Sequence, residues 1–329
     1  MKKFRQWFLL LVFLTGCQMQ PKDTPLITDY MPSTQQAYQF EGSGNEYASY
    51  TFLPEYSDQG VLQFRKITGA TELVEVHTFA DHKWTKTFEQ AETYYRDDLR
   101  SFKQIPTEIM LMEPLEVGTN WKLANGSTRT ITNLNVPLQF MSNSYATLEV
   151  TTTSPQGETK HYYAKGLGLV KVVYPDAITS TLVRFTDPLL TKQIRYFFPH
   201  PSKMQYAYME APVTFAVNDP ISKKLEETAK SILQSRFPTL ILGTAINHIG
   251  IRDDVAAIDL SAAFMDDLEL VSGQEARIVT SLLMTLGYYY QTSKVVLTVA
   301  DVPYQSDLLP LPASGYHTID IFAAEPWVE

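Results

Sequence analysis

The sequence has almost no cysteine: among 329 residues, only Cys17 is one. A chain with a single cysteine forms no intramolecular disulfide, so its stability depends on packing and hydrogen bonds. A zinc site is unsupported as well, because there is no second thiol and no His-Glu-x-x-His spacing. The six histidines are scattered along the chain: His77, His82, His161, His200, His248 and His317.

Other patterns that hold metals or cofactors are also missing. Gly166-Leu167-Gly168 lacks the third glycine and the following helix that a phosphate-binding loop requires. The acidic pairs Asp253-Asp254 and Asp266-Asp267 lack the alternating ligands of a calcium loop, and we interpret them as a turn and a solvated loop. The sequence therefore predicts no cofactor and no metal.

Basic residues are in the minority, with 27 Lys and Arg against 36 Asp and Glu and a formal net charge of -9. Nucleic acids and anionic lipid head groups are bound through basic patches. The acidic balance therefore argues against both as ligands, and we predict no nucleic-acid partner.

The N-terminus carries a short apolar run, residues 7–14, after a basic start. This run is too short to span a bilayer, and it ends in Leu14-Thr15-Gly16-Cys17, which resembles the bacterial lipobox. The pattern predicts a lipoprotein signal peptide over residues 1–16 and a mature N-terminus at Cys17 with acyl chains such as palmitate attached. We therefore expect a lipid-anchored protein on the extracytoplasmic face of the cell membrane.

The rest of the chain divides into three segments by composition. Residues 17–36 are polar, contain three prolines and are predicted to form a tether. Residues 37–187 alternate Thr, Tyr, Val and Phe between turn signals, which predicts an antiparallel β-rich domain with a clear hairpin at residues 145–163. Asp187-Pro188 is the expected joint to a second domain, residues 191–329.

The second domain shows helical as well as strand patterns. Asp219-Pro220 is typical of a helix start, and Ser272-Gly273-Gln274-Glu275 has the spacing of a capping box before a second apolar stripe. Between them, residues 246–251 and 255–260 predict a hairpin around Asp253-Asp254. The predicted fold class is α+β: a β-rich domain followed by a two-helix α/β sandwich with both helices on one sheet face.

Counting back from a two-residue turn gives the hairpin two different faces. Ile249 would face Ile258 and Asn247 would face Leu260 on the apolar side. The other side would carry His248, Gly250, Ala257 and Asp259, small or polar residues that admit another surface. We predict either that this face binds a partner, or that it packs on the first domain.

The order of these motifs resembles the sporulation and spore-germination (GerMN) domain. The similarity covers about residues 191–304, although Gly-Pro after the first helix and Asp-Gly after the closing strand are missing. The matching stretches are residues 194–199, Ile258-Asp259-Leu260-Ser261, Thr285-Leu286 and residues 294–299. The resemblance implies an envelope-exposed, often lipid-anchored, non-enzymatic module that is similar in fold to ring-building domains of secretion and sporulation assemblies.

These patterns predict a non-catalytic binding or assembly module of the bacterial cell envelope, with an envelope protein or a second copy as partner. A hydrolase of cell-wall polymer is the first alternative. His248, Asp259 and Ser261 could share a face, but no Gly-x-Ser-x-Gly elbow is present, so no catalytic residue is predicted. The second alternative is a carrier that holds a hydrophobic ligand in the β-rich domain.

Overall fold

The computed structural model describes residues 25–102, 105–233, 243–271 and 273–328. The predicted signal peptide, Cys17, the first part of the tether and Ser272 of the predicted capping box lie outside these residues. Within them, no helix has both the length and the apolar character needed to cross a membrane. The α+β fold class is confirmed: a large antiparallel sheet comes first, and three α-helices follow it.

The first part of the chain forms a single sheet of twelve strands. Every neighbouring pair is antiparallel, and the strand order is β6-β5-β4-β3-β2-β1-β12-β11-β10-β9-β8-β7. The strands are β1 Ala37–Ser43, β2 Tyr50–Asp58, β3 Val61–Thr68, β4 Glu72–Ala80, β5 Lys83–Ala91, β6 Glu108–Met112, β7 Asn120–Lys122, β8 Thr128–Phe140, β9 Asn143–Ser154, β10 Gly157–Ala164, β11 Gly168–Val173 and β12 Thr179–Thr186.

The predicted hairpin is confirmed as β9 and β10. Ser154 pairs with Gly157 across the two-residue turn Pro155-Gln156, and Gly157 has a φ of 123°. Glycine adopts this backbone conformation without steric cost, which explains its place at the end of the turn.

The sheet curls so that its two ends meet. The indole Nε1 of Trp121 in β7 donates to the Ile109 carbonyl in β6 across 3.0 Å, and the Arg129 guanidinium in β8 donates to the same carbonyl across 2.8 Å. Arg129 also forms an ion pair with Glu108. These contacts join the first and last strands and leave a concave inner face.

Part of the predicted tether belongs to the folded domain. Ile27 and Tyr30, in a short 3-10 helix, are buried in the core of the large sheet, and the Ile27 amide donates to Glu113 across 3.0 Å. The prediction of a tether over residues 17–36 is therefore wrong for the stretch that contains Ile27 and Tyr30. The segment was predicted to be a tether because most of its residues are polar, but its two buried residues, Ile27 and Tyr30, pack in the core.

After the joint, the second part contains two sheets and three α-helices. Its elements are β13 Leu190–Pro199, β14 Tyr206–Phe215, α1 Ile221–Leu233, β15 Ile246–Arg252, β16 Val255–Leu260, α2 Ala263–Glu269, α3 Glu275–Tyr290, β17 Lys294–Val299, β18 Val302–Pro303, β19 His317–Thr318 and β20 Ala324–Pro326. One sheet has the order β13-β14-β20, and the other has the order β15-β16-β17-β18 with β19 also paired to β17.

The expectation of one sheet with both helices on one face is wrong. Helix α3 is buried on several sides, including at Met284 and Thr285 outside the predicted apolar stripe. The Phe197 amide of β13 donates to the Thr285 hydroxyl across 3.0 Å, which ties α3 to one sheet while its apolar residues pack against the other. Two sheets therefore enclose the helix.

Helix α2 occupies the stretch that we expected to be an acidic loop. Its Asp267 is buried and accepts hydrogen bonds from both the amide and the hydroxyl of Thr244, at 2.8 and 2.7 Å. The solvated-loop interpretation is therefore wrong for Asp267, because satisfying these donors offsets the cost of burying the carboxylate.

A buried charge network joins the two parts of the chain. The Arg65 and Glu55 side chains are fully buried and lie 2.7 Å apart, and Arg65 also contacts Glu72 at 2.8 Å. Glu72 in turn accepts from Lys192 of β13 at 2.6 Å. The hydrophobic core of the second part likewise includes Leu53 of the large sheet, so the two parts share one core.

Candidate interaction cleft

Strands β15 and β16 form the predicted hairpin with nearly the predicted register. Ile249 pairs with Ile258, Gly250 with Ala257 and His248 with Asp259, as expected. A bulge at Asn247 changes the end of the ladder, so Leu260 pairs with Ile246 rather than with Asn247. An extra residue of this kind is not visible in the alternation of side chains, which explains why counting missed it.

The two faces of the hairpin differ as predicted. Ile249, Ile258 and Leu260 are buried in the shared core. On the opposite face His248 is exposed, while Gly250 and Ala257 are half-buried. The hairpin therefore presents a small, polar surface away from the helices.

Asp259 does not belong to the accessible part of this face. It is buried, and its carboxylate accepts from the Thr298 hydroxyl, from the Asn247 amide at 2.8 Å and from the Asp301 backbone at 2.8 Å. Burial raises its pKa, but these hydrogen bonds outweigh the burial and lower it below the usual value. Asp259 thus fixes β15, β17 and the following turn, and its prediction as an interaction residue is corrected.

His248, Asp259 and Ser261 do not form a catalytic relay. Ser261 accepts a hydrogen bond from the Ala245 amide at 2.9 Å, and Asp259 is engaged as described above. No hydrogen bond joins any two of the three side chains, all of which are among the described residues. The shared strand periodicity alone suggested this grouping.

The His248 face borders a cleft of about 680 Å³ between the two parts of the chain. The first domain does not cover this face but lies across the cleft from it, so the expected packing on the first domain is not found in full, and partner binding stays a prediction. The residues that line the cleft come from both parts: Tyr56, Ser57, Asp58, Asp97, Asp98, Arg100, Ser101, Asn218, Pro220, Ile221, Ser222, Asn247, His248, Ile249, Gly250, Ile251, Arg252, Val255 and Ala257.

Asp97 anchors the opposite wall of the cleft. Its carboxylate accepts from the Ile251 amide of β15 at 3.1 Å and from the Asp98 amide at 2.8 Å. Burial raises the pKa of Asp97 to about 6 despite these two donors. One buried carboxyl therefore ties the hairpin directly to the large sheet's 97–102 loop.

Two arginines complete the charged rim of the cleft. Arg252 donates to the Ser101 hydroxyl at 2.8 Å and lies 3.6 Å from the centre of the Phe102 ring. Arg100 pairs with Asp98 at 2.8 Å. The rim is thus rigidly tied across the two parts, while the exposed imidazole of His248 remains accessible.

Sequence reasoning found one wall of this cleft and missed the other. The missed wall has one signal in the sequence. Four of the five residues in the run Arg96-Asp97-Asp98-Leu99-Arg100 are charged. Nothing in the local pattern places it beside a hairpin that lies about 150 residues later, since tertiary packing alone brings them together. In the described ranges, no group of three or more metal-binding side chains converges.

Comparisons with known proteins add no relative: no family model, curated protein or solved structure matches the chain.

Proposed function

We propose that this protein is a lipid-anchored, extracytoplasmic binding or assembly module of the cell envelope with no active site of its own. The observation that carries the proposal is the open face of His248, Gly250 and Ala257 on one wall of a cleft. On the opposite wall, Asp97, Asp98 and Arg100 are already engaged in hydrogen bonds or an ion pair. Such a surface offers shape and a few polar contacts, but few free reactive groups. The resemblance to the GerMN domain points to the same class of function.

A protein segment in extended conformation is the partner that suits this cleft best. Strand β15 forms the edge of its sheet, and an edge strand can accept a further strand through backbone hydrogen bonds. Two of its backbone amides, those of Ile246 and Ile251, are already held by Glu226 and Asp97. The middle of the strand, beside Gly250, is therefore the part open to a partner.

Gly250→Arg tests the binding face. A Cβ at Gly250 would lie 3.3 Å from His248 Nε2 and 3.7 Å from Asp97 Oδ2, so a larger side chain fills the cleft and displaces only the end of a flexible imidazole. We expect crosslinking in intact cells to capture a partner with the wild-type protein and to lose it with Gly250→Arg, while thermal unfolding changes little. Gly69→Arg is the matched control, because a Cβ there meets no atom within 4 Å.

If Gly250→Arg and Gly69→Arg capture the same partners as the wild type, the cleft is not the binding surface. If the wild-type protein captures neither another protein nor a second copy, the assembly proposal itself fails. These two outcomes separate the location of the site from the function.

Lipid attachment at Cys17 is tested independently. The lipobox motif predicts that Cys17→Ala leaves an unprocessed precursor or releases the protein into the medium. A Cys17→Ala protein that is still labelled by a fatty-acid probe and has the mature size would refute the anchor.

A further inference from the structure

The concave face of the twelve-stranded sheet encloses a second cavity, separate from the cleft, with a volume of about 260 Å³. Its walls come from strands β1 to β6 and from β10 and β11, with Pro32 of the N-terminal segment at one side. An engineered cavity of about 150 Å³ holds one benzene ring, so this space suits a molecule of one or two fused rings. It is small for a lipid with two chains.

Aromatic side chains make up most of the apolar wall: Tyr38, Phe40, Tyr50, Phe52, Trp84 and Tyr174. Phe40 and Tyr50 stack with ring centres 4.4 Å apart, and Trp84 is almost fully buried. Ring edges and faces held in fixed positions favour a flat, apolar ligand body.

The cavity wall also carries charged groups, and nearly all of them are paired. Glu75 binds His77 at 2.9 Å. Lys86 and Glu108 lie 3.1 Å apart, and Glu108 also pairs with Arg129. These groups are mutually satisfied and leave little to offer a ligand.

Lys66 is the exception. Its ammonium lies 4.2 Å from the centre of the Tyr50 ring, and it forms no ion pair or hydrogen bond with any other described residue. Phe52 of β2, another wall residue, is the direct cross-strand neighbour of Lys66 in β3. Because the effective dielectric constant beside an apolar aromatic wall is lower than in water, a cation there attracts an anion more strongly.

His161 adds a second unsatisfied polar group. Its Nδ1 is buried and has no hydrogen-bond partner within the described ranges, although the ring lines the cavity. Buried polar atoms are usually satisfied, and those that are not often mark the place of a ligand or water.

We propose that the concave face of the first domain binds a small aromatic carboxylate, with its ring among the aromatic side chains and its carboxylate on Lys66. The site differs from the carrier of a purely hydrophobic ligand that the sequence left open, because it contains one unpaired cation. It is also independent of the proposed function, since no residue of the cleft takes part.

The test uses the full chain with Cys17→Ala, which removes the predicted site of acylation, and two probes of similar size and different charge. By titration calorimetry, 2-naphthoate should bind with one-to-one stoichiometry and at least about tenfold more tightly than the neutral 2-naphthylmethanol, the effect of one charge-assisted hydrogen bond. Lys66→Met should remove this preference while leaving the binding of the alcohol unchanged. Lys171→Met, on β11 and outside the cavity lining, is the matched control.

Equal affinity of the two probes for the wild-type chain would overturn the role of Lys66, and this comparison needs no variant. No binding of naphthoate up to its solubility limit would overturn the site. Val172→Phe places a ring into the cavity and should abolish the binding of both probes. Unchanged binding in Val172→Phe would place the probes elsewhere and contradict the proposal.

Discussion

The indole Nε1 of Trp84 donates a hydrogen bond to Nδ1 of His77 across 3.0 Å. Because an indole N–H is only a donor, Nδ1 must be unprotonated, and the proton of the neutral imidazole lies on Nε2. Nε2 in turn lies 2.9 Å from Glu75, so the three side chains form a directed chain of donors that ends at a carboxylate. The chain holds one wall of the cavity in place.

The ionisation of Glu75 makes the stability that these hydrogen bonds contribute depend on pH in a predictable way. Burial raises the pKa of Glu75, but the hydrogen bond from His77 and the charges of Lys86 and Lys66 outweigh the burial and lower it below its usual value. Its stabilising contribution is therefore present above the pKa of an unfolded glutamate and lost as the pH falls below it. We expect Glu75→Gln to lower the free energy of unfolding by about 1–3 kcal/mol at pH 7 and by clearly less at pH 3, measured by urea denaturation.

The control for this prediction is Glu158→Gln, an exposed glutamate at the tip of the β9–β10 hairpin. It should change stability by less than about 0.5 kcal/mol at both pH values. An equal loss at pH 7 and pH 3 for Glu75→Gln would show that the ionised carboxylate is not what stabilises the wall.

The hairpin β15–β16 illustrates how far the sequence leads. Its alternation and turn predicted the pairing of Ile249 with Ile258 and the two unlike faces, because a strand has a fixed period of two. The bulge at Asn247 was not predictable, since it depends on how the strand end meets its neighbours. The apolar stripe of α3 was predicted in the same way, but not its enclosure by two sheets.

The candidate cleft was predictable only in part, for a physical reason. The His248 face follows from local periodicity, whereas Asp97 reaches it through packing between distant segments. A ligand carrier in the β-rich domain was one alternative, but the residues of the aromatic cavity could not be named from the sequence. The cavity wall takes residues from eight strands, and only the curvature of the sheet brings them together. The periodicity of a strand predicts which of its side chains share a face of the sheet, but it does not predict how strongly the sheet curves.

Gly287 should not tolerate even one added methyl group. A Cβ there would lie 2.6 Å from Ile319 Cδ1 and 2.7 Å from the Thr292 carbonyl oxygen. This overpacking exceeds the gain in helix propensity, which is at most about 1 kcal/mol. We expect Gly287→Ala to lower the free energy of unfolding by about 1–2 kcal/mol in thermal or urea denaturation. Gly69→Ala, with open space around it, should be neutral; an unchanged or raised stability in Gly287→Ala would contradict the packing.

Asp97 should make the protein less stable as the pH rises from about 4 to about 6. Its pKa is raised to about 6 by burial, while an unfolded aspartate titrates near 3.9, so the folded state holds the proton more tightly in this window. Asp97→Asn keeps an acceptor for the Ile251 amide and removes the titration. At pH 7 the variant should gain about 1–3 kcal/mol relative to the wild type, and at pH 4 this gain should disappear. A difference that does not vary with pH would refute the raised pKa.

Arg65→Met should weaken the contact between the two parts of the chain. The guanidinium satisfies the buried Glu55 carboxylate and the Tyr95 carbonyl, each at 2.7 Å, and also binds Glu72, which holds Lys192 of the second part. Removing one partner of a fully buried ion pair leaves the other charge uncompensated and costs about 3–5 kcal/mol. Glu72 then keeps only one of its two cationic partners, Lys192 of the second part. The loss of stability should therefore extend to the contact between the two parts of the chain.

The measurement is limited proteolysis at the Asp187-Pro188 joint, where Asp187 and Leu189 are exposed. We expect cleavage there to be at least about tenfold faster in Arg65→Met than in the wild type, because local opening becomes more frequent as the shared core loosens. Arg184→Met is the matched control, since Arg184 makes an exposed hydrogen bond to Gln39 at 2.6 Å and lies near the same joint. If both variants are cut at the wild-type rate while Arg65→Met still unfolds at a lower urea concentration, the buried network stabilises the large sheet alone and does not hold the two parts together.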